Sequence, residues 1–263
     1  MPGLLAILDG DVMDVSEALI PITDEGLLRG DGVFEVVPLY SGRPYGLEPH
    51  LERMQRSAES LRLPFDIDAV RGDVRALLAA SDPADRMLRL LVTRGGRRIG
   101  IIEERHELPS TIALQTVTYT PTRVLDGVKS LSYAGNMLAT RIAREQGADE
   151  ALLVTPHGRV LEGPTTSFFY VLDGALHTPP LDDRILDSIT RRALFAVTDV
   201  SERITTREDL AAAGEAFLGS SAREVHPVHA IDGVALPAAP GPVTSSAATA
   251  VREHIEAELA RDV

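Results

Sequence analysis

The order of apolar and polar residues predicts alternating strands and helices through the first half of the chain. Apolar runs typical of strands occupy four segments, residues 4–9, 32–40, 87–96 and 111–119. SGRP at 41–44 predicts a turn into a further short strand. Apolar residues recur at helical spacing over 49–63 and again over 66–80. The Arg-rich segment between 96 and 111 is predicted to be a polar loop.

The second half follows a predicted linker. Residues 120–127 (TPTRVLDG) contain Pro, Asp and Gly and separate a small α/β domain, 1–119, from a larger domain, 128–263. A strand around Lys129 and a helix over 135–146 are predicted next. A meander of four short strands follows, with the sequences ALLVT, RVLEG, SFFYVL and ALHT. Helices are then predicted over 188–198 and 207–213. A strand is predicted over 216–221, and a last helix from about residue 244 onward. Together these elements predict an α+β fold with two domains.

Charge and composition narrow the classes of partner. The formal net charge is -13 and the basic residues form no stripe, which argues against nucleic acid and anionic membranes. The sequence has no cysteine, and His226 and His229 have no third ligand at a metal spacing, so we expect no metal site. No apolar run approaches the roughly 20 residues that span a bilayer. The N-terminus lacks the basic region of a signal peptide, so we expect a cytoplasmic protein.

Lys129 is unusual because Arg carries nearly all of the positive charge in this chain. On a strand beside SLSY its side chain would face partly inward, where an ammonium group is costly unless it is paired or deprotonated. A buried lysine with a lowered pKa is an amine nucleophile that forms Schiff bases with aldehydes. The alternative is an edge-strand lysine whose ammonium group reaches solvent.

Two further segments offer groups for a ligand. Glu162, in LEGPTTSFFYV, could accept a proton from a ligand nitrogen beside the hydroxyls of Thr165 and Thr166, or it could only cap a turn. In RILDSITRRALF, Ser188 is a helix N-cap candidate. The first amides of that helix, at Ile189 and Thr190, would then form an anion site, although a plain capped helix is also compatible.

Two other segments carry candidate phosphate groups. Ser220 and Ser221, in FLGSSAREV, could bind a phosphate or form an ordinary polar turn. Arg53, in HLERM, lies off the apolar face of its helix and could bind an oxyanion bidentately, or it could be solvated.

Six segments in sequence order resemble one family. They are GLLRGDGVFEVV (26–37), PHLERMQRSAESL (49–61), VKSLSYAGNMLATRIAREQGADEALLV (128–154), GRVLEGPTTSFFYVLDGALHTPP (158–180), ILDSITRR (185–192) and SSAREVHPV (220–228). The chain resembles the class IV aminotransferases, the pyridoxal phosphate enzymes of fold type IV. These include branched-chain aminotransferases, D-amino acid transaminases and aminodeoxychorismate lyases. The resemblance covers essentially the whole chain and implies the two-domain D-amino acid aminotransferase-like fold.

The resemblance implies a role for each candidate. Lys129 would form a Schiff base with pyridoxal 5′-phosphate and then move a proton between the substrate Cα and the cofactor. Glu162 would pair with the pyridinium nitrogen, which keeps the ring an electron sink. Leu186 would pack on one ring face, and Thr165 would contact the cofactor while Thr166 would contact the substrate. The phosphate would be held by four residues, Arg53, Ile189, Thr190 and Ser221.

Several positions depart from the family pattern. The loop after Glu162 ends in Thr166-Ser167 where Ser-Asn is common, and Ser188 stands where Gly is usual. Branched-chain aminotransferases have a tyrosine five residues after the lysine; here Ala134 takes that place. The sequence KSL followed by Gly-Asn is instead common in D-amino acid transaminases.

Arg29 is the most informative departure, because most relatives place an aromatic residue there. Its guanidinium could bind a substrate carboxylate together with Arg97 or Arg98, or it could form a surface ion pair. Phe34 takes the place of a substrate-contacting tyrosine of some D-amino acid transaminases. In this family residues 29–34 reach the neighbouring subunit's site, which implies a homodimer.

The leading interpretation is a transaminase that acts on D-amino acids, such as D-alanine or D-glutamate, and on 2-oxo acids such as 2-oxoglutarate. The first alternative is an aminodeoxychorismate lyase, which releases 4-aminobenzoate. Branched-chain L-amino acids and (R)-amines also remain open as substrates. A protein that binds the cofactor without turnover is a further alternative, against which Lys129 and Glu162 argue.

Overall fold

The structure is a computed structural model that describes residues 4–261, and these residues form two compact units. The first unit contains residues 4–106 and 127–133, and the second contains residues 107–126 and 134–261. The chain therefore enters the second unit, returns briefly to the first and then enters the second again. The short returning segment carries Lys129.

A six-stranded antiparallel sheet organises the first unit. Its strands are β1 Leu5–Leu8, β2 Asp11–Asp14, β3 Gly32–Tyr40, β4 Arg43–Pro44, β5 Arg86–Thr93 and β6 Arg98–Glu104. They pair in the order β2-β1-β6-β5-β3-β4. The helices of this unit are α1 Glu25–Arg29, α2 Leu47–Ser60 and α3 Ile67–Ala80.

The core of the first unit lies between one face of this sheet and the helices α2 and α3. Val33, Val37 and Leu39 of β3 contribute to this core, and alternation along the strand places Glu35 on the same side. From α2 and α3 the core receives apolar side chains at helical spacing, among them Leu51 and Val74. Even-numbered residues of β3 consequently lie on the opposite face of the sheet.

An eight-stranded mixed sheet organises the second unit. Its strands are β7 Ile112–Thr118, β8 Glu150–Val154, β9 Ser167–Leu172, β10 Ala175–Thr178, β11 Ser201–Glu202, β12 Glu215–Ser220, β13 Glu224–Ile231 and β14 Val234–Ala235. They run in the order β11-β10-β9-β12-β13-β7-β8, and β14 pairs with β13. β7 is parallel to both of its neighbours, and the crossover from β7 to β8 contains a helix. The helices are α4 Ala134–Glu145, α5 Ile189–Val197, α6 Arg207–Ala212 and α7 Pro242–Arg261.

Most predicted elements are observed within a few residues of their expected ends, but three predictions are wrong. The supposed polar loop between 96 and 111 contains β6, whose charged side chains are paired: Arg98 with Asp73 and Glu103 with Arg89. The strand around Lys129 is only one bridge, between Ser130 and Val33.

The third wrong prediction is the RVLEG strand. Its residues make only isolated bridges, at Arg159 and Val160, because the chain turns at once into Gly163-Pro164. Proline cannot donate to a strand ladder, so pairing ends there. None of the described helices is long and apolar enough to cross a membrane.

Candidate functional site

Lys129 is the only lysine in the sequence, and the first unit fixes its backbone on both sides. The Lys129 amide donates to Ser57 Oγ at 3.1 Å, and its carbonyl accepts from the Phe34 amide at 3.1 Å. The Nζ atom lies 4.3 Å from the centroid of the Phe34 ring and 5.7 Å from that of Tyr133. Two aromatic rings, themselves 5.1 Å apart and edge to face, therefore shield the amine of a half-buried lysine.

Arg53 lies on α2 in a buried ion pair. Its Nε and Nη2 donate to Glu35 Oε1 and Oε2 at 2.7 and 2.6 Å, and His50 Nδ1 is 2.7 Å from Glu35 Oε2. Burial alone would raise the pKa of Glu35, but the charge and hydrogen bonds of Arg53, with the bond from His50, lower it to about 2. Burial lowers the pKa of His50, so a neutral His50 donates from Nδ1. Arg53 is thus held rigidly by a carboxylate that the sequence analysis did not identify.

The three arginines predicted to bind substrate all contact carboxylates of their own unit. Arg29, whose side chain is 72% exposed, pairs with Glu25 one helical turn earlier at 2.5 Å. The other two pairs are Arg97 with Asp9 at 2.6 Å and Arg98 with Asp73 at 2.7 Å.

The first sheet separates Arg98 from Phe34. Arg98 is paired in register with Val92, a residue of the helix-facing core, and its guanidinium contacts α3. Phe34 lies on the other face of the sheet, by alternation with Val33.

Arg89 shares the sheet face of Phe34 and was missed in the sequence. It lies directly opposite Val36 across β3 and β5, two residues along from Phe34. Its guanidinium forms a two-point bond with Glu103, at 2.6 and 2.9 Å. The alternation in MLRLLVT was the available signal, because it sets Arg89 on one face with Leu91.

In the second unit, the backbone of Glu162 is hydrogen-bonded to the strand β8. Its carbonyl accepts from the Leu153 amide at 2.9 Å, and its Oε1 accepts from the Leu186 amide at 3.1 Å. Burial, and then the charge of Glu162, raises the pKa of Tyr119. The Glu162 carboxylate is therefore oriented by a backbone amide of Leu186, the residue predicted to pack on the ligand ring.

The turn after Glu162 is fixed from two sides. Asn136 of α4 donates from Nδ2 to the Pro164 carbonyl at 2.8 Å. The Thr166 hydroxyl donates to Glu150 Oε1 at 3.2 Å, and the Thr166 side chain is buried. Thr165 is exposed, so the two threonines of this turn have different surroundings.

The N-terminus of α5 has the predicted cap. Ser188 Oγ accepts from the Arg191 amide at 3.0 Å and is held by a 2.9 Å bond from the Ser167 hydroxyl. The amides of Ile189 and Thr190 precede the first possible acceptor within a helix, so they can serve an external anion.

The strand β12 brings a serine turn next to this helix. A side chain at Gly219 would lie 3.6 Å from Thr190 Cγ2, so the end of β12 passes close to the first turn of α5. The Arg223 amide donates to the Ser220 carbonyl at 3.1 Å, which closes the turn that contains Ser221. Arg223 also forms an ion pair with Glu150.

Each unit thus contains a separate group of the predicted site residues. The first holds Lys129 against Phe34 and holds Arg53 through Glu35, while the second places Glu162 and Leu186 together and the serine turn beside α5. His226 and His229 bind Pro109 and Thr111 separately. Among residues 4–261, no group of three or more histidine and acidic side chains is arranged to hold a metal ion.

Comparison with known proteins finds relatives that match nearly the whole chain. A bifunctional aminodeoxychorismate lyase and D-amino acid transaminase of Mycobacterium tuberculosis is 31% identical over 281 residues, 90% of this chain and 94% of that protein. A branched-chain aminotransferase of Thermoproteus uzoniensis, solved with norvaline, has a TM-score of 0.89 at 28% identity and covers 96% of this chain and 95% of its own. A PLP-bound aminotransferase from Mycobacterium tuberculosis has the same TM-score and identity, covering 97% of this chain and all of its own.

These structures confirm the expected fold type IV architecture, and the family model extends over most of the chain. The model of amino-transferase class IV matches residues 32–231, which include Lys129 and Glu162. The protein is a member of the class IV aminotransferases.

Proposed function

We propose that this class IV aminotransferase moves an amino group between a D-amino acid, such as D-alanine or D-glutamate, and a 2-oxo acid such as 2-oxoglutarate. The observation that carries the proposal is the placement of the only lysine against Phe34, within the segment that the family model matches. The D-amino acid preference is supported by the M. tuberculosis relative, whose name includes D-amino acid transaminase.

Class IV aminotransferases use pyridoxal 5′-phosphate, and the groups in each unit fit that molecule. The first unit offers the Lys129 amine for its aldehyde and the Arg53 guanidinium for its phosphate. The second offers the Glu162 carboxylate for a protonated ring nitrogen. It also offers phosphate donors, namely the Ser221 hydroxyl and the first two amides of α5. Leu186 and Thr165 complete the proposed cofactor set.

When bound, pyridoxal phosphate draws electrons from the substrate Cα and makes its proton acidic. Lys129 would remove that proton from the substrate Cα and deliver it to the cofactor, because a neutral amine is a base. The rings of Phe34 and Tyr133 limit water around Nζ. Glu162 would hold the ring nitrogen in its protonated form, and the hydrogen bond from the Leu186 amide orients the Glu162 carboxylate.

A direct test adds pyridoxal phosphate and follows visible absorbance, then borohydride reduction and peptide mass. Because Lys129 is the only lysine, a label on a lysine side chain must appear on the peptide that contains it, distinct from any label on the N-terminal amine. We expect the matched variant Lys129→Arg, which keeps the charge, to remain colourless and inactive. A wild-type protein that stays colourless and unlabelled would refute the cofactor assignment.

The substrate test uses D-alanine with 2-oxoglutarate and measures pyruvate. A panel of D- and L-amino acids, branched-chain ones included, then distinguishes this proposal from the activity of the T. uzoniensis relative. Absence of activity with every D-amino acid, together with turnover of L-leucine or an (R)-amine, would overturn the D preference.

A lyase is the second candidate, because the M. tuberculosis relative carries both activities in its name. The same lysine would serve either reaction. Release of 4-aminobenzoate from aminodeoxychorismate distinguishes them, and a bifunctional protein would give both products.

The substrate carboxylates are assigned to arginines of the first unit. Arg29 is the candidate from the sequence, and Arg89 is the guanidinium that shares a sheet face with Phe34. Arg29→Leu and Arg89→Leu should each raise the Michaelis constant for D-glutamate more than that for D-alanine, which has no second carboxylate. A variant in which both constants stay unchanged removes that arginine from the substrate site.

The proposed functional unit is a homodimer. Residues 19–28 carry four large apolar side chains that are 59–80% exposed, Leu19, Ile22, Leu27 and Leu28. Such a concentration of exposed apolar surface is typical of an association site, and a second copy of this chain is the proposed partner.

A further inference from the structure

Glu150 is a buried carboxylate that joins two turns of the second unit. It is the first residue of β8, and only 4% of its surface is exposed. Its Oε1 accepts a hydrogen bond from Thr166, in the turn that follows Glu162, at 3.2 Å. Its Oε2 pairs with Arg223, in the turn that contains Ser221. The Glu150 side chain therefore connects the turn that follows Glu162, the proposed ring contact, with the turn that contains Ser221, a proposed phosphate contact.

Because the Glu150 carboxylate is charged and buried, it requires partners in both turns. A carboxylate that is removed from water is costly unless a cation and hydrogen-bond donors compensate it. Arg223 supplies the cation, and its side chain is itself only 20% exposed. The Ser221 turn cannot move away from β8 without separating this buried pair, and the Gly163–Thr166 turn cannot do so without losing its hydrogen bond to the same carboxylate. The two contacts together resist changes in the spacing of the two turns.

The packing around Gly163 tightens one end of the connection. A Cβ atom at this position would lie 2.1 Å from Thr166 Oγ1 and 3.1 Å from Glu150 Oε1. The Gly163 amide also donates to the Thr166 carbonyl at 2.8 Å. The turn from Gly163 to Thr166 is thus folded directly onto the Glu150 carboxylate.

We propose that Glu150 and Arg223 are positioning residues, which hold the turn at Gly163–Thr166 and the turn at Ser221–Arg223 at a fixed spacing. Glu162 would then contact the ring of the cofactor, and Ser221 would contact the phosphate of the same molecule. This inference rests on the proposed function. It assigns to the Thr166 hydroxyl a role through Glu150, in addition to the substrate contact expected from the sequence.

The test compares two ligands that differ only in the phosphate, pyridoxal 5′-phosphate and pyridoxal. Arg223→Met removes the cation but keeps much of the side-chain length. We expect it to weaken pyridoxal phosphate about tenfold or more, since the Ser221 turn is released, and to leave pyridoxal almost unchanged. The dissociation constants come from absorbance titrations, and the ratio of the two constants is the readout.

A matched control is Arg252→Met. Arg252 pairs at 2.7 Å with Glu224, the neighbour of Arg223, and its side chain is 46% exposed. This variant should leave the ratio unchanged. Glu150→Gln should change the ratio as Arg223→Met does, and the double variant should be little worse than either single one, because both remove the same link.

A purely structural role predicts a different result. In that case Arg223→Met would lower the urea midpoint and weaken both ligands equally, or neither, and the ratio would match wild type; this outcome overturns the inference. If Arg223→Met does not fold, Arg223→Gln is judged by the same ratio. A wild-type protein that binds pyridoxal phosphate but shows no change in any variant refutes only this inference. A wild-type protein that does not bind it refutes the proposed function.

Discussion

Glu35 is the side chain through which the first unit fixes Arg53, and both residues are buried. Glu35→Gln keeps the shape but removes the charge that compensates the guanidinium. Breaking a buried ion pair from one side costs about 3–5 kcal/mol, so the free energy of unfolding should fall by that amount. Urea unfolding of the protein without cofactor measures it.

Glu48→Gln is the control for that variant. Glu48 pairs with Arg71 on the surface, where solvent screens the interaction, so the same chemical change should have a much smaller effect. Equal destabilisation by the two substitutions would show that the buried Glu35 pair contributes no more to stability than the exposed Glu48 pair.

The Glu35 carboxylate should also make stability depend on acid. Its pKa is about 2 in the folded protein against an ordinary value of 4.5, so its contribution is complete above pH 4.5. The contribution is lost as the pH falls from 4.5 through 2. The difference in unfolding free energy between wild type and Glu35→Gln should therefore narrow over this range, and a constant difference would contradict the assignment.

At the scale of elements, the C-terminal helix α7 depends on one carboxylate of a neighbouring strand. Glu215, which begins β12, accepts from the amides of Val243 and Thr244 at 3.2 and 2.7 Å. These are first-turn amides, which have no partner inside the helix. Glu215→Gln removes the negative charge from a helix N-terminus and should cost about 1–3 kcal/mol of unfolding free energy.

The control for α7 is Glu253→Gln, an exposed residue of the same helix. It should change the thermal midpoint little, whereas Glu215→Gln should lower it clearly. Gly241 supports this interpretation, since a Cβ there would lie 2.2 Å from the Glu215 carboxyl carbon. Gly241→Ala should consequently destabilise the helix start as well.

Elements whose signals are local could be predicted from the sequence. Ser188 lies three residues before the amide that it caps, and α5 was placed correctly. The strand β6 was missed because Arg98 and Glu103 look like loop residues until their partners, Asp73 and Arg89, are known. Those partners lie on other elements, so no local pattern reveals them.

The same distinction applies to the candidate site. Lys129 and Glu162 could be proposed from the sequence because the family motifs around them are contiguous. Glu35 and Glu150 were not singled out, because their roles come from Arg53 and Arg223, 18 and 73 residues away in the sequence. Whether a charged residue of this kind is buried depends on its partner in the tertiary structure, so residue type alone does not reveal it.

At the scale of the whole molecule, the proposed dimer gives a mass prediction. The chain is 28.3 kDa, and light scattering should report twice that value. Ile22→Asp, at a side chain that is 80% exposed, should shift the protein to the mass of one chain because it buries a charge in the proposed contact.

The matched control is Val234→Asp, at a side chain that is 66% exposed in the second unit. This variant should keep the wild-type mass. A wild-type mass of one chain, or a dimer that survives Ile22→Asp together with Leu27→Asp, would reject residues 19–28 as the contact.

The return of residues 127–133 to the first unit has a consequence for biosynthesis. Phe34 donates its amide to Lys129, a residue translated about 95 positions later, and Leu131 closes onto Gly32 in the same way. At roughly 5–20 residues per second, a ribosome needs roughly 5–20 s to supply those partners. During that interval the nascent β3 has an open edge, which is a site for aggregation or chaperone capture. Expressing residues 4–106 alone would make this transient state permanent.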